Sequence, residues 1–197
     1  MTSLLILVTI LFSFMLGSLP TGYLLVRLVR GMDVRKIGSG NIGATNVARA
    51  IGPGGWVTTV LLDAGKGATA VVVAGRLAGE DAAAAAAVAA VVGHCHSPWL
   101  GLKGGKGVAT MFGTFVILAP WATAVSVGIL LLVTVLVRFM SVGSLVAAAM
   151  LPLSSWWVGE SVGIVMAGTF TALLVWFRHA ENLRRLCDGS ESRIWDG

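Results

Sequence analysis

Four short stretches carry most of the polar chemistry of this 197-residue chain. The first, Gly38-Ser39-Gly40-Asn41-Ile42-Gly43-Ala44-Thr45-Asn46-Val47-Ala48-Arg49, gathers hydroxyl, amide and guanidinium groups in a glycine-rich turn. Glycine permits positive φ and close backbone approach, and Arg49 offers a bidentate fork for a phosphate. The stretch contains G-x-G-x-x-G, but a dinucleotide site needs a strand before that turn and a βαβ unit around it. The flanks here are apolar helices, so the match is a coincidence; read alone, the loop is also a plain polar connector.

The second stretch runs from His94 to Thr110 and leads straight into a predicted helix. Exposed backbone N–H groups, a helix N-terminus, and Lys103 and Lys106 interleaved with Gly104, Gly105 and Gly107 make a pocket for a phosphate group. It is not a Walker A loop, because Leu100 stands where glycine is required and Gly107 replaces Ser/Thr. His94-Cys95-His96 is not assigned to a metal, since three adjacent residues do not splay onto one tetrahedral ion. The third stretch is the tail, where a helix would place His179 and Asn182 on one face with Arg185 following. It reads equally as a basic interfacial helix. The fourth, Arg138-Phe139-Met140-Ser141-Val142-Gly143-Ser144, adds two hydroxyls. Asp63 and Lys66, three residues apart in an apolar stretch, read as a helix-buried ion pair, although charges within a membrane helix also invite a functional hypothesis.

The elements that position these stretches follow from composition. Apolar residues make up 56% of the chain and charged residues 12%, against about 25% charged in a soluble domain. Mean hydropathy is +0.89. A soluble globule and a disordered chain are both excluded. Cys95 and Cys187 give no disulfide framework. Seven helices of about 20 residues would use about 140 residues, which predicts an all-α, seven-span protein forming a single membrane domain over 1–197. The predicted spans are Leu4 to Val26, Trp56 to Ala78, Asp81 to Val92, Val108 to Ala119, Trp121 to Val137, Val142 to Val158 and Ser161 to Phe177. The third, rich in alanine, and the fourth are short for a crossing. Met1-Thr2-Ser3 has no basic residue ahead of the first apolar run and no cleavage site follows it, so that run reads as an anchor. Lys and Arg fall after the first, third, fifth and seventh spans. The positive-inside rule then puts the N-terminus outside and the C-terminus in the cytoplasm. The net charge of +5 lies in juxtamembrane loops, where anionic lipid accounts for it and nucleic acid is not needed.

Taken together, GSGNIGATN with Arg49, the D-x-x-K-G of Asp63 to Gly67, GH followed by KGGKGVAT, and the tail H-x-x-N-x-x-R-L-x-x-G-x-E resemble one family. It is the bacterial acyl-phosphate:glycerol-3-phosphate acyltransferase family, of the PlsY type. The resemblance extends from Gly17-Ser18-Leu19-Pro20 to Glu191. It implies a seven-helix enzyme of the bacterial inner membrane with a cytoplasmic site. Such an enzyme transfers a fatty acyl group from acyl phosphate to the 1-hydroxyl of glycerol 3-phosphate, giving lysophosphatidic acid and phosphate. This is the first step of bacterial phospholipid synthesis. By motif, Ser39, Asn41, Arg49, Ser141, His179 and Asn182 are implied as catalytic. Lys103, Gly104, Gly105, Lys106, Gly107, Asn46, Ser144 and Arg185 are implied as substrate-binding, and Glu191 as structural. No cofactor or metal is implied. The partners implied are glycerol 3-phosphate, acyl phosphate, membrane lipids and the enzyme that supplies acyl phosphate. Ile42 stands where proline is frequent in the first motif, and Ser97-Pro98 shifts a proline usually one position earlier.

The chemistry suits this inventory. Acyl phosphate is a mixed anhydride with a good leaving group, so an acyl-enzyme is unnecessary. Two phosphates must be held close together, which calls for cations such as Arg49, Lys106 and Arg185. Donors such as Asn182, Ser39 or backbone N–H would stabilise the developing oxyanion. Either His179 or the donor's own phosphate takes the hydroxyl proton. The alternative from another class is a transporter of a small phosphorylated metabolite, with broken helices presenting their N-termini to the anion. Transport requires access from both faces, whereas the polar clusters are all predicted on one.

Overall fold

A computed structural model describes residues 2–194, and among them there are helices and no strands. The ten α-helices are α1 (Thr2–Gly17), α2 (Thr21–Arg30), α3 (Ala44–Ile51), α4 (Pro53–Ala78), α5 (Glu80–Cys95), α6 (Val108–Leu118), α7 (Pro120–Val137), α8 (Met140–Trp157), α9 (Val162–Arg178) and α10 (Ala180–Cys187). Four helical stretches are long and apolar enough to cross a membrane: Ser3–Arg30, Pro53–Ala78, Pro120–Val137 and Met140–Trp157. The pair α9 and α10, bent by 52°, makes a fifth if it counts as one. The chain divides into two compact units, Met1–Thr114 and Phe115–Gly197.

In the first unit, the predicted first span is broken into α1 and α2. Pro20 has no N–H to donate and restricts Leu19, so the helix stops and restarts around Ser18-Leu19-Pro20. Small residues then let helices approach to backbone contact. A Cβ on Gly17 would collide with the Ala90 backbone, one on Gly93 with the Phe14 carbonyl, and one on Gly113 with the Ala64 backbone. Where apolar side chains gain little by leaving lipid, such close packing is what associates helices. The alanine run explains itself on the same terms. Ala82, Ala83, Ala84, Ala86, Ala87, Ala89 and Ala90 are all buried, so α5 is an interior helix whose small side chains admit α1 and α4 on its flanks.

The second unit packs α7 against α8 and α8 against α9. Ser154 Oγ donates across to the Ala122 carbonyl at 3.2 Å, and Trp176 Nε1 donates to the Leu145 carbonyl at 3.0 Å. Large apolar side chains cover the outside of these helices, including Leu131, Leu132, Leu136, Phe170 and Leu173. Trp121 opens α7 and Trp156 and Trp157 close α8, all three exposed, as expected of aromatic side chains at a membrane–water boundary.

The glycine contacts yield a paired expectation. Gly17→Ala forces a methyl into the Ala90 backbone, and overpacking of this kind costs about 1–3 kcal/mol. Gly128 in α7 has open space around the same position, so Gly128→Ala is neutral or stabilising. Thermal unfolding of both variants in one detergent checks this. Equal midpoints would show that the α1–α5 approach is looser than described.

Candidate active site

The first polar loop is shaped from within by Asn46, which is buried. Its Nδ2 donates to the carbonyls of Val34, Ile37 and Asn41 at 3.0, 2.9 and 2.8 Å, and its Oδ1 accepts from Ser39 N–H at 3.1 Å. Gly38 and Gly40 have φ of +50° and +70°, which lets the chain turn back onto that amide. Asn41 Oδ1 accepts from Gly43 N–H at 2.9 Å, closing a turn just before α3. Below the loop lies an apolar cluster of Val26, Val34, Ile42, Val47 and Leu100. Ile42 thus fills core where proline was the expectation. Above it, Ser39 and Arg49 are exposed, with the Arg49 side chain lying across Gly38. Asn46, expected to touch substrate, instead directs all these bonds to its own loop and acts by holding Ser39 in place. Arg35 is engaged locally. Its guanidinium grips Asp33 at 2.7 Å, and that hydrogen bond outweighs the slight burial, lowering the Asp33 carboxyl to about 2.

The glycine–lysine loop hangs from the end of α5. Gly104 N–H donates to the Cys95 carbonyl at 3.1 Å and Gly105 N–H to the His94 carbonyl at 3.0 Å. These two glycines are buried, so a Cβ on either would strike protein rather than a ligand. Gly104 faces the His94 carbonyl, and Gly105 faces His94 Nε2. Expectation placed phosphate against these positions. Their small size is required by the loop's own fold. Gly107, with φ of +85°, turns the chain into α6, whose first intrahelical bond is Met111 N–H to Gly107 O at 2.7 Å. The amides of Val108, Ala109 and Thr110 precede that bond and have no intrahelical acceptor, which makes an anion site at the helix start. Lys106 is half-buried beside it and Lys103 is exposed.

The same loop is tied to the break in the first span. Ser97 Oγ donates to the Ser18 carbonyl at 2.7 Å, and Trp99 Nε1 to Ser18 Oγ at 2.9 Å. Lys66 Nζ donates to the Leu19 carbonyl at 2.8 Å and pairs with Asp63 Oδ1 at 2.7 Å. Thr21 Oγ1 donates to the same Asp63 oxygen at 2.6 Å, and His94 Nδ1 stands 3.4 Å from it. The Asp63–Lys66 pair read from the sequence is therefore present, and buried, but it belongs to a larger cluster.

In the second unit, α9 ends at His179, the chain bends, and α10 follows. His179 is buried with Nδ1 2.7 Å from the Val175 carbonyl oxygen. A carbonyl only accepts, so Nδ1 carries the proton of that bond and donates it. Asn182, also buried, donates through Nδ2 to Glu191 Oε1 at 2.6 Å, while Arg185 Nε donates to Glu191 Oε2 at 2.7 Å. The Glu191 backbone N–H in turn donates to the Arg185 carbonyl at 3.0 Å. Glu191 thereby fixes both the amide and the guanidinium predicted to act on substrate, a role its position at the end of the tail did not reveal. Burial pushes its carboxyl up, but hydrogen bonds from Asn182 and Arg185 outweigh that and hold it below its ordinary value. Ser141 is buried beside this carboxylate, and Ser144 donates to the Met140 carbonyl at 2.8 Å within its own helix.

A sequence model of the family described as glycerol-3-phosphate acyltransferase matches residues 7–189. A protein of that name from Dinoroseobacter shibae is 44% identical over 92% of this chain and 89% of its own. One from Anaeromyxobacter dehalogenans is 46% identical over 92% of this chain and 93% of its own. Two crystal structures of PlsY, an integral membrane glycerol 3-phosphate acyltransferase, share the fold. The glycerol 3-phosphate form superposes with a TM-score of 0.92 at 33% identity, covering 96% of this chain and 95% of that one. The lysophosphatidic acid form gives 0.88 at 32% identity, covering 95% and 94%.

The depressed Glu191 carboxyl fixes the sign of a pH effect. Its stabilisation is complete above the ordinary carboxylate pKa and is lost as pH falls through the lower folded value. Glu191→Gln should therefore unfold at a lower temperature than the parent at pH 7, and the gap should close on acidification below that folded value. A gap independent of pH would show that the charge on Glu191 is not what holds Asn182 and Arg185.

Proposed function

The chain belongs to the glycerol-3-phosphate acyltransferase family, and on that premise we propose how its residues carry out the transfer. It is an acyltransferase, moving a fatty acyl group from acyl phosphate to the 1-hydroxyl of glycerol 3-phosphate and so making lysophosphatidic acid for phospholipid synthesis. The observation that carries the residue assignment is the lysine-bearing glycine loop folded onto the end of α5 and opening α6. That loop offers helix-start amides and cations to a phosphate, and we assign it the phosphate of glycerol 3-phosphate. Ser39 and Arg49 are set at the surface of the first loop, where they suit the second phosphate, that of the donor. We assign the whole chain, 1–197, to one membrane domain of the bacterial inner membrane. Seven spans, with the N-terminus outside, place the basic loops in the cytoplasm, where glycerol 3-phosphate is found.

In the step itself, the 1-hydroxyl oxygen attacks the acyl carbonyl carbon, the new ester C–O bond forms, and the bond from carbon to the phosphate oxygen breaks. Inorganic phosphate leaves with the electron pair of that bond. The hydroxyl proton goes to His179 Nε2 or to a donor phosphate oxygen. We favour the phosphate, because His179 Nδ1 is oriented by a neutral carbonyl and not by a carboxylate that would raise ring basicity. The Asn182 N–H that Glu191 does not take, Ser39 or a backbone N–H then supplies the donor to the carbonyl oxygen as it gains charge. Acyl phosphate hydrolyses in water, so direct delivery from the enzyme that makes it is the partnership this chemistry calls for.

Purified protein given acyl phosphate and labelled glycerol 3-phosphate should yield labelled lysophosphatidic acid, and none would sink the proposal. Gly107→Ala, which strains a φ of +85°, should raise the KM for glycerol 3-phosphate more than it lowers kcat. A rise for acyl phosphate instead would reverse the assignment of the two phosphates.

His179 discriminates the proton routes. A general base contributes about 10²–10⁴-fold; if the phosphate takes the proton, His179→Gln retains much of the turnover and His179→Ala mainly raises a KM. Loss of turnover in both variants with binding unchanged would make His179 the base. Orientation is checked separately: a cysteine near Glu160 should react with an impermeant thiol reagent from outside intact cells, and one near Ser190 should not.

A further inference from the structure

Asp63, Lys66 and His94 form a buried polar cluster that the transfer chemistry does not use. All three are at most 6% exposed, in helices α4 and α5. Thr21 Oγ1 donates to Asp63 Oδ1 at 2.6 Å, Lys66 Nζ pairs with it at 2.7 Å, and His94 Nδ1 stands 3.4 Å from it. A pair of charges in an apolar helix bundle is no aid to stability by itself, since apolar side chains of similar volume do as well or better. What the cluster does have is an address. The other edge of the His94 imidazole, Nε2, lies where a Cβ of Gly105 would stand, and the His94 and Cys95 carbonyls receive the N–H groups of Gly105 and Gly104. The glycine–lysine loop is thus moulded directly on the residue that Asp63 orients. Lys66 meanwhile fastens the same carboxylate to the Leu19 carbonyl at the break of the first span, from which Ser97 and Trp99 also suspend the loop.

We propose that Asp63 is a positioning residue for glycerol 3-phosphate, acting through His94 to set the shape of the Gly104–Gly107 loop. It touches no substrate. Lys66 and Thr21 keep its carboxylate in place, and His94 transmits that placement to Gly105. The inference rests on the assignment of this loop to the glycerol 3-phosphate phosphate. A displacement of about 1 Å in a positioning element costs on the order of 10²-fold in rate, so a loosened loop should show itself in substrate affinity while the reacting groups elsewhere are intact.

Steady-state kinetics of the purified full-length protein tests it, using Asp63→Asn, Asp63→Asn/Lys66→Met and His94→Gln beside Gly107→Ala. Each of the first three should raise the KM for glycerol 3-phosphate about 10- to 100-fold, with a smaller fall in kcat and an unchanged KM for acyl phosphate. The double variant removes both buried charges, so it distinguishes loss of the fastening from the penalty of an unpaired lysine. A second readout is non-additivity. In a His94→Ala background the partner of the Gly105 collision is gone, so Gly105→Ala should cost less in KM than it costs in the parent. Folded variants with parental KM for glycerol 3-phosphate, equal rises for both substrates, or additive His94 and Gly105 effects would overturn the proposal. Failure of all three variants to fold would do the same, leaving the cluster purely structural. If Gly107→Ala shifts the acyl phosphate KM instead, it is the loop assignment that has failed.

Discussion

The first unit depends on a single carboxyl group buried among apolar helices. Asp63 Oδ1 gathers an ammonium, a hydroxyl and an imidazole, and each of these belongs to a different piece of the molecule. Removing one partner of a buried pair leaves an uncompensated charge and costs about 3–5 kcal/mol. The arrangement therefore ties α2, α4 and α5 together at one oxygen. Lys66 satisfies a carbonyl that the Pro20 break leaves without a helical donor. The break in turn gives Ser97 and Trp99 a fixed point. The glycine–lysine loop is by this means built onto rigid helix ends.

The second unit solves a comparable problem with a different carboxylate. Glu191 receives the Asn182 amide and the Arg185 guanidinium together, so the two side chains are oriented before any substrate arrives. Asn182 Oδ1 and Nδ2 are then distinguished: Nδ2 faces Glu191, and the carbonyl end points away from it. Holding reactive groups by a supporting carboxylate is how such sites avoid reorganising at the moment of reaction.

Much of this was legible in the sequence, and the parts that were not share a cause. The helices, the polar loops and the Asp63–Lys66 pair follow from local patterns of 3 to 20 residues. Boundaries of the last three predicted spans agree with α7, α8 and α9 to within two residues. The break of the first span was missed because a single proline in an apolar run kinks a helix or ends it depending on what can bond the freed carbonyls. Here those partners are Lys66 and Ser97, 47 and 79 residues away. The alanine run was ambiguous for a similar reason: its mild hydropathy describes lipid contact poorly but close helix packing well. The motif implies Asn46 as substrate-binding together with its neighbours. Its burial against three carbonyls of its own loop depends on the turns at Gly38 and Gly40. The motif implies Glu191 as structural without saying what it holds, and its partners Asn182 and Arg185 are visible only in the fold.

The central claim is that the loop from Lys103 to Gly107, with the start of α6, is where glycerol 3-phosphate binds by its phosphate. Equilibrium binding of glycerol 3-phosphate to the detergent-purified protein, with no acyl donor present, measures this without any contribution from turnover. The account predicts saturable binding that inorganic phosphate competes away, that glycerol does not, and that Lys106→Met weakens about tenfold or more, the loss of one charge-assisted contact of about 1.5–3 kcal/mol. Binding of equal strength in the parent and Lys106→Met proteins, or competition by glycerol alone, would contradict it.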